Sequence, residues 1–406
     1  MILNKKKLLQ ILLFVTLVAD IRFFYLGSLP ASFGGSATNL IFPSIVSIIF
    51  FFLFWMINKK IYLGAYYKEI IILYIFIIFS SIYSVMTYGF SRNTVIGQAI
   101  RFLILLNYFP FVSFIKEYGE DNLIKIIEYV TISLCVVLLV QEYALLHWGF
   151  FFLKIDFPLN STGRIFTVAE GIVRISVLLS AYKIINNQFK IKSNLISWLN
   201  FLLCLSAILL VDQSRIYFLS VAIGILVMIL YEFRRLNIVQ KFMVIILFIL
   251  ITAIIFGVFF NSLLITLNDP TSGSNYARNG AIEYYSYLMK GKWLSGLGFI
   301  VPGTNDPAFT LLKGPRGIYN ISDIGIFGIY FSMGIIGVVW YLWIIFKGIK
   351  LSLEKNNSIL PMGLIAEIIV SLFTMSYFDP ARIPALALFL AFVSSMPKNT
   401  NMKKVK

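Results

Sequence analysis

The chain has 406 residues, 59% of them hydrophobic and 13% charged, and a mean hydropathy of +0.89. A soluble domain carries about 25% charged and about 45–50% apolar residues, and here the apolar excess runs through the whole length, which excludes both a soluble enzyme and a single-pass anchor. The net charge of +16 would suggest nucleic acid in a soluble protein, but in a membrane protein it has a simpler source in loop sidedness.

Apolar runs long enough to span a bilayer, ~20 residues each, lie near 8–26, 40–57, 68–88, 95–115, 123–148, 165–185, 194–211, 215–231, 241–261, 322–346, 358–377 and 383–397. The expectation is an all-α polytopic membrane protein of about twelve transmembrane helices. The first run follows Lys5-Lys6-Lys7 and lacks a small-residue cleavage site, so it reads as a retained helix rather than a signal peptide. With the N-terminus in the cytoplasm, one face collects Lys5, Lys6, Lys7, Lys59, Lys60, Lys68, Lys116, Lys125, Lys183, Lys190, Lys192, Arg234, Arg235, Lys241, Lys347, Lys350 and Lys355. The short loops opposite hold only Arg92, Lys154, Arg164, Arg215 and Arg382. This bias predicts both termini in the cytoplasm.

Residues 262–321 form one long connection on the extracytoplasmic side, between helices 1–9 (residues 1–261) and helices 10–12 with the cytoplasmic tail (322–406). Loops beyond ~12–15 residues are usually functional or disordered. Over 275–290 the positions Ala281, Ile282, Tyr285, Leu288 and Met289 recur at helical spacing, and Gly296-Leu297-Gly298 then makes a turn. The loop is expected to be partly helical and to lie on the membrane surface over the bundle.

Cys135 and Cys204 fall inside apolar runs, and His147 stands alone beside Trp148. One His and two separated Cys build no metal centre, and no cofactor is expected. The informative residues are the charges in or near spans, each costing roughly 2.5–3.5 kcal/mol on insertion scales. Arg164, Glu170 and Arg174 fall at the outer end of the sixth span, with Glu170 and Arg174 four apart and able to pair. Asp212 and Arg215 occupy the tight turn before the eighth. Arg278 and Glu283 are in the long loop, and Asp323 opens the tenth span. A cavity at the outer face, roofed by the loop, would gather three arginines and several carboxylates. Glu367, mid-span, is a candidate partner for Arg101 or Arg174. Arginine presents a planar fork of donors that matches phosphate, so this constellation fits a lipid-borne pyrophosphate, with a carboxylate to take a proton from a sugar hydroxyl. The bland alternative is a set of interfacial charges and structural ion pairs. No Asp-x-Asp triplet occurs for a metal-bound sugar nucleotide.

Three stretches carry a resemblance: Gly163-Arg164-Ile165-Phe166-Thr167-Val168-Ala169-Glu170-Gly171 leading into a span, Asp212-Gln213-Ser214-Arg215 in a tight outside turn, and the long loop with Arg278 and Lys292–Gly298. The last is followed by Asp323-Ile324, nine residues, then Gly334-Ile335-Ile336-Gly337. In these the chain resembles the O-antigen polymerase and ligase superfamily, and most the Wzy-type polysaccharide polymerases. Asp323 stands where the ligases have histidine. The resemblance covers roughly 160–345 and implies a GT-C-like membrane glycosyltransferase, metal-independent, working on undecaprenyl-pyrophosphate-linked oligosaccharides as donor and acceptor at the bacterial cytoplasmic membrane. A chain-length regulator is a further implied partner, and nucleic acid is not. The resemblance assigns Arg215 and Arg278 to the donor pyrophosphate, with Arg164 and Arg174 as further candidates, and Asp323 or Glu170 as general base. Capsule, exopolysaccharide and O-antigen remain open as products. A ligase-type transferase, or a flippase or transporter of lipid-linked oligosaccharide, are the competing readings; a flippase should show two matching six-helix halves and short outside loops.

Overall fold

The computed structural model describes residues 5–21, 41–150, 165, 169–192, 194–232, 274–298, 311–354, 359–373, 376–378 and 382–395. Among them the chain is all-helical, with no strand. In order the helices are α1 (Lys5–Asp20), α2 (Ile41–Asn58), α3 (Tyr67–Tyr88), α4 (Arg92–Ala99), α5 (Tyr108–Tyr118), α6 (Glu120–Trp148), α7 (Glu170–Asn186), α8 (Leu195–Ala207), α9 (Arg215–Glu232), α10 (Ser274–Leu288), α11 (Ile326–Leu353), α12 (Ile359–Ser371) and α13 (Ile383–Ser395). A 3₁₀ stretch, Ile100–Asn107, joins α4 to α5, and α8 ends in a π turn, Ile208–Asp212.

Six segments are long and apolar enough to cross a membrane: Ile41–Asn58, Tyr67–Tyr88, Val95–Tyr118, Glu120–Trp148, Leu195–Asp212 and Ile326–Leu353. Three further apolar helices, α9, α12 and α13, are shorter; α1 has 16 residues with charges at both ends, and α7 has 17 residues with Arg174 and Lys183 inside it. The run expected at 241–261 lies outside the described residues. Against the expectation of about twelve spans, six helices of full spanning length are found among the described residues. The sixth run begins at Glu170 rather than 165, and the eleventh ends at Ser371 rather than 377.

Interhelical bonds define two ends. At one, the Lys347 ammonium reaches Ala65 O at 2.6 Å and Glu69 at 2.5 Å, Tyr66 Oη donates to Ile344 O at 3.1 Å, Asn58 Nδ2 donates to Glu117 at 2.8 Å, and the Ala65 N–H donates to Ser394 Oγ. This end carries the starts of α1, α3 and α6 and the ends of α2, α5, α7, α11 and α13; it is the lysine end. At the other, Ile326 N donates to Leu372 O at 2.7 Å and Arg382 bonds Glu170. The starts of α7, α9, α11 and α13 meet the end of α12 there. The loop helix α10 also packs there, so this is the loop end.

The middle of the bundle is held by short polar links that replace the missing hydrophobic drive between helices in lipid. Asn200 on α8 donates to Ser176 and Ser180 on α7, both at 2.8 Å, and accepts from Thr131 on α6 at 2.7 Å. Cys135 and Cys204, apart by sixty-nine residues in sequence, bring their sulfurs to 3.5 Å as free thiols. Helix α13 is the innermost element: all of its residues are buried. At 1.5 Å per residue it is about 20 Å long, shorter than a hydrocarbon core of ~30 Å, and its first and last residues, Ile383 and Ser395, are both buried.

The long connection has a small core of its own. The buried residues Ala281 and Tyr285 on α10, with Met289 just past its end, pack with Leu297, Leu312, Tyr319, Ile324 and Phe331, and the Tyr285 hydroxyl donates to Leu312 O. The helical spacing read over 275–290 corresponds to α10, Ser274–Leu288.

Candidate functional site

Two glycines set the site's frame. A Cβ on Gly224 of α9 would lie 2.9 Å from Gly363 O, and one on Gly363 of α12 would lie 3.0 Å from Gly224 O, so the antiparallel helices cross backbone to backbone here. One turn towards the loop end on each helix stand Ser220 and Glu367, and Ser220 Oγ donates to Glu367 Oε1 at 3.2 Å. The register of a small-residue crossing thus delivers a carboxylate into the bundle. A third close approach, Gly171 of α7 against Ala385 of α13, with 2.8 Å between an added Cβ and Ala385 Cβ, brings Glu170 beside Arg382.

Around Glu367 the remaining groups follow. Tyr377 Oη donates to Glu367 Oε2 at 2.6 Å. Arg174 places Nη1 at 3.0 Å from Glu367 Oε1, and its guanidinium carbon lies 4.5 Å from the Tyr217 ring centroid and 4.7 Å from that of Tyr377. Arg382 bonds Glu170 through Nε, Ser376 O through Nη1 at 3.2 Å and Tyr217 Oη through Nη2 at 2.9 Å. Glu170, Arg174, Glu367 and Arg382 are all buried.

The two arginines differ in how their donors are used. Arg382 has every guanidinium nitrogen bonded. Arg174 has an ion pair whose geometry lacks hydrogen-bond alignment, and among the described residues none of its nitrogens meets a hydrogen-bond acceptor in line. The four charges cancel in two pairs. The starts of α7, α9 and α13 nevertheless point their partial positive charge at this region. A planar cation in cation–π contact with two tyrosine rings, with donors left over, is suited to bind an anion.

The expected residues divide between two places. Glu170 and Arg174 belong to the buried cluster, but they do not pair with each other: Glu170 bonds Arg382 and Arg174 pairs with Glu367. Four-residue spacing permitted the helix-surface pair, but Glu367 of α12 and Arg382, just before α13, are the partners instead. Arg215 opens α9, which puts its backbone at the loop end. Arg164 lies outside the described residues. Arg278 and Asp323 belong to the loop core instead: Arg278, half-buried, is on α10 two turns before Tyr285, and Asp323, half-buried, is in the 3₁₀ turn Ile321–Ile324, where Asn320 Nδ2 donates to Oδ2 at 3.3 Å. Burial, with Tyr284 and the Asp323 charge nearby, pushes the Tyr285 phenol upward. Among the described side chains, Arg174 meets Arg382 in the bundle and Arg278 lies in the loop core at the same end, while Arg164 and the Arg215 side chain lie outside the described residues.

Arg382 was expected only as a short-loop charge, and Tyr217, Ser220 and Tyr377 carried no signal of their own. One clue to Arg382 exists: it is the sole cation at the mouth of the uncharged run 383–397, with no length of loop to carry it into water. Glu367 as a partner of Arg174 was within reach of the sequence. Compared with protein-family models and with curated proteins, the chain matches none.

Proposed function

We propose that the chain is a metal-independent membrane glycosyltransferase of the polysaccharide-polymerase kind, GT-C-like with about twelve spans, acting at the outer face of the bacterial cytoplasmic membrane. The observation that carries this reading is Arg174: a buried guanidinium with donors to spare, in cation–π contact with Tyr217 and Tyr377 at the loop end. The lysine end is the cytoplasmic one by its charge, which turns this cluster outward. Arg174 binds a phosphoryl oxygen of the undecaprenyl-pyrophosphate donor and stabilises the charge that develops as the diphosphate leaves; Arg215 and Arg278 attend its approach. The bond from the sugar anomeric carbon to the diphosphate oxygen breaks, and one from that carbon to the acceptor hydroxyl forms. Asp323 takes the hydroxyl proton. Of the two carboxylates it suits the role better, because Glu170 is buried and already bonded to Arg382.

A second reading, a flippase or transporter, draws support from helix α11, whose backbone leaves helical geometry at Gly334; interrupted helices accompany binding sites in transporters. One experiment separates the readings. In cells lacking the gene, lipid-linked repeat units are located and polymer is measured, with wild type or Arg174→Lys supplied at equal protein level. Outward-facing single units that become polymer only with the wild type support the polymerase. Units held on the cytoplasmic face mean a flippase, and finished polymer left on its carrier means a ligase-type transferase.

A further inference from the structure

Gly334 has φ +64° and ψ −162°, a backbone region essentially restricted to glycine. Around it α11 stops pairing with itself. Leu297 N donates to Phe331 O at 2.7 Å, Gly298 N donates to Ser332 O at 3.0 Å, and Ile335 N donates to Trp293 O at 2.9 Å. Residues 293–298 have thus taken over the bonds of one helical turn. The approach is backbone on backbone: a Cβ on Gly334 would lie 2.1 Å from Leu294 O, and one on Gly296 would lie 2.6 Å from Gly334 N. On the far side, Ser84 Oγ and Tyr88 Oη at the end of α3 donate to Leu297 O (3.4 Å) and Gly296 O (3.3 Å).

We propose that residues 293–298 are a releasable strap, and that α11 exchanges between this broken, strapped form and a continuous helix from which the strap has withdrawn. The exchange conserves backbone pairing. When the strap leaves, Ile335 N and Ile336 N turn to Phe331 O and Ser332 O in the ordinary i→i−4 pattern, and the strap's own groups turn to water. Phe331 O, Ser332 O and Ile335 N are thus paired in both forms, the condition for two discrete arrangements rather than gradual deformation. Gly334 biases the balance from both sides, since it alone permits the broken form and it is a poor residue for the continuous one.

The break sits where a hinge has most leverage. From Gly334 to Leu353 the helix runs about 30 Å at 1.5 Å per residue, about the thickness of a hydrocarbon core. The hinge thus falls near the membrane edge, and the two turns before it, from Ile326, extend into the loop core through Phe331. Straightening α11 re-aims those turns and carries the loop core, with Arg278 and Asp323, relative to Arg174 and Arg382. The strap is the catch of a lid over the loop end. This inference does not rest on the transferase reading.

The test is amide hydrogen exchange on the full chain in lipid nanodiscs, comparing residues 296–298 with 335–337. Strap release predicts that the Leu297 and Gly298 amides of the native protein exchange at least tenfold faster than those of Ile335 and Ile336, which re-pair in the helix. Gly334→Ala, and Gly296→Ala acting from the strap side, should each accelerate the strap a further tenfold or more while Ile335 stays protected. Equal exchange of both segments in the native protein overturns the proposal, as does a strap no faster in folded Gly334→Ala than in the native chain. If both variants fail to fold, the native comparison alone decides.

Discussion

The two ends of the bundle use opposite charge chemistry. At the lysine end the ion pairs are graded towards solvent: the side chains of Lys183 and Glu128 are 11% and 0% exposed, those of Lys347 and Glu69 24% and 8%, and those of Lys5 and Glu117 47% and 20%. Each lysine is a point charge on a flexible stem that can follow the interface. At the loop end both pairs are made by arginine and fully enclosed, and tyrosine rings make cation–π contact with the Arg174 guanidinium. The first arrangement staples helix ends at a boundary. The second spends desolvation energy in the interior and leaves donors over, which stapling does not require.

Arg174→Ala is the heaviest blow to that contrast. It leaves Glu367 buried without its cation, at about 3–5 kcal/mol, read as loss of folded protein in thermal unfolding of the detergent-solubilised chain. Arg174→Lys separates folding from function: the charge stays, the planar cation and the fork of donors go. Folded yield should fall less than twofold and polymer formation by about 100-fold; unchanged polymer formation would reduce Arg174 to a staple. Next, Lys347→Met at the opposite end removes a charged hydrogen bond to Glu69, worth about 1.5–3 kcal/mol, and activity per folded molecule should not change. Lys5→Ala is the mildest case. Its half-exposed pair with Glu117 is worth about 0–1 kcal/mol, so the melting temperature should stay within the error of measurement.

Much of the architecture was legible because lipid enforces it. The lysine bias and the apolar runs anticipated an all-helical chain of alternating direction, and the spacing of Ala281, Tyr285 and Met289 anticipated α10. Helix boundaries fared less well where a charge starts the helix, as at Glu170, or where the chain turns back early, as after Ser371. Hydropathy also could not distinguish α3, mostly facing outward, from α13, enclosed on every side, since both read as apolar. The site was legible by residue and not by partner. Glu170 and Arg174 were singled out as charges inside a span, but which carboxylate meets which arginine depends on helix crossings at Gly224, Gly363 and Gly171, contacts distant in sequence. The break at Gly334 was equally hidden: Gly334-Ile335-Ile336-Gly337 reads as ordinary apolar helix until Trp293–Gly298 is seen to have borrowed its bonds.

Helix α13 has a consequence for how the molecule is made. The innermost helix is the last of the described ones to leave the ribosome, so every neighbour is laid into the bilayer around a space that is still empty. Until then Glu170 has no Arg382, Tyr217 lacks its guanidinium donor, and the Ala65 amide lacks the Ser394 hydroxyl. The nascent chain must hold unmatched charge in lipid for the time needed to translate some two hundred residues. Among the described helices, α13 is therefore the keystone: its arrival closes the Glu170–Arg382, Tyr217–Arg382 and Ala65–Ser394 bonds together.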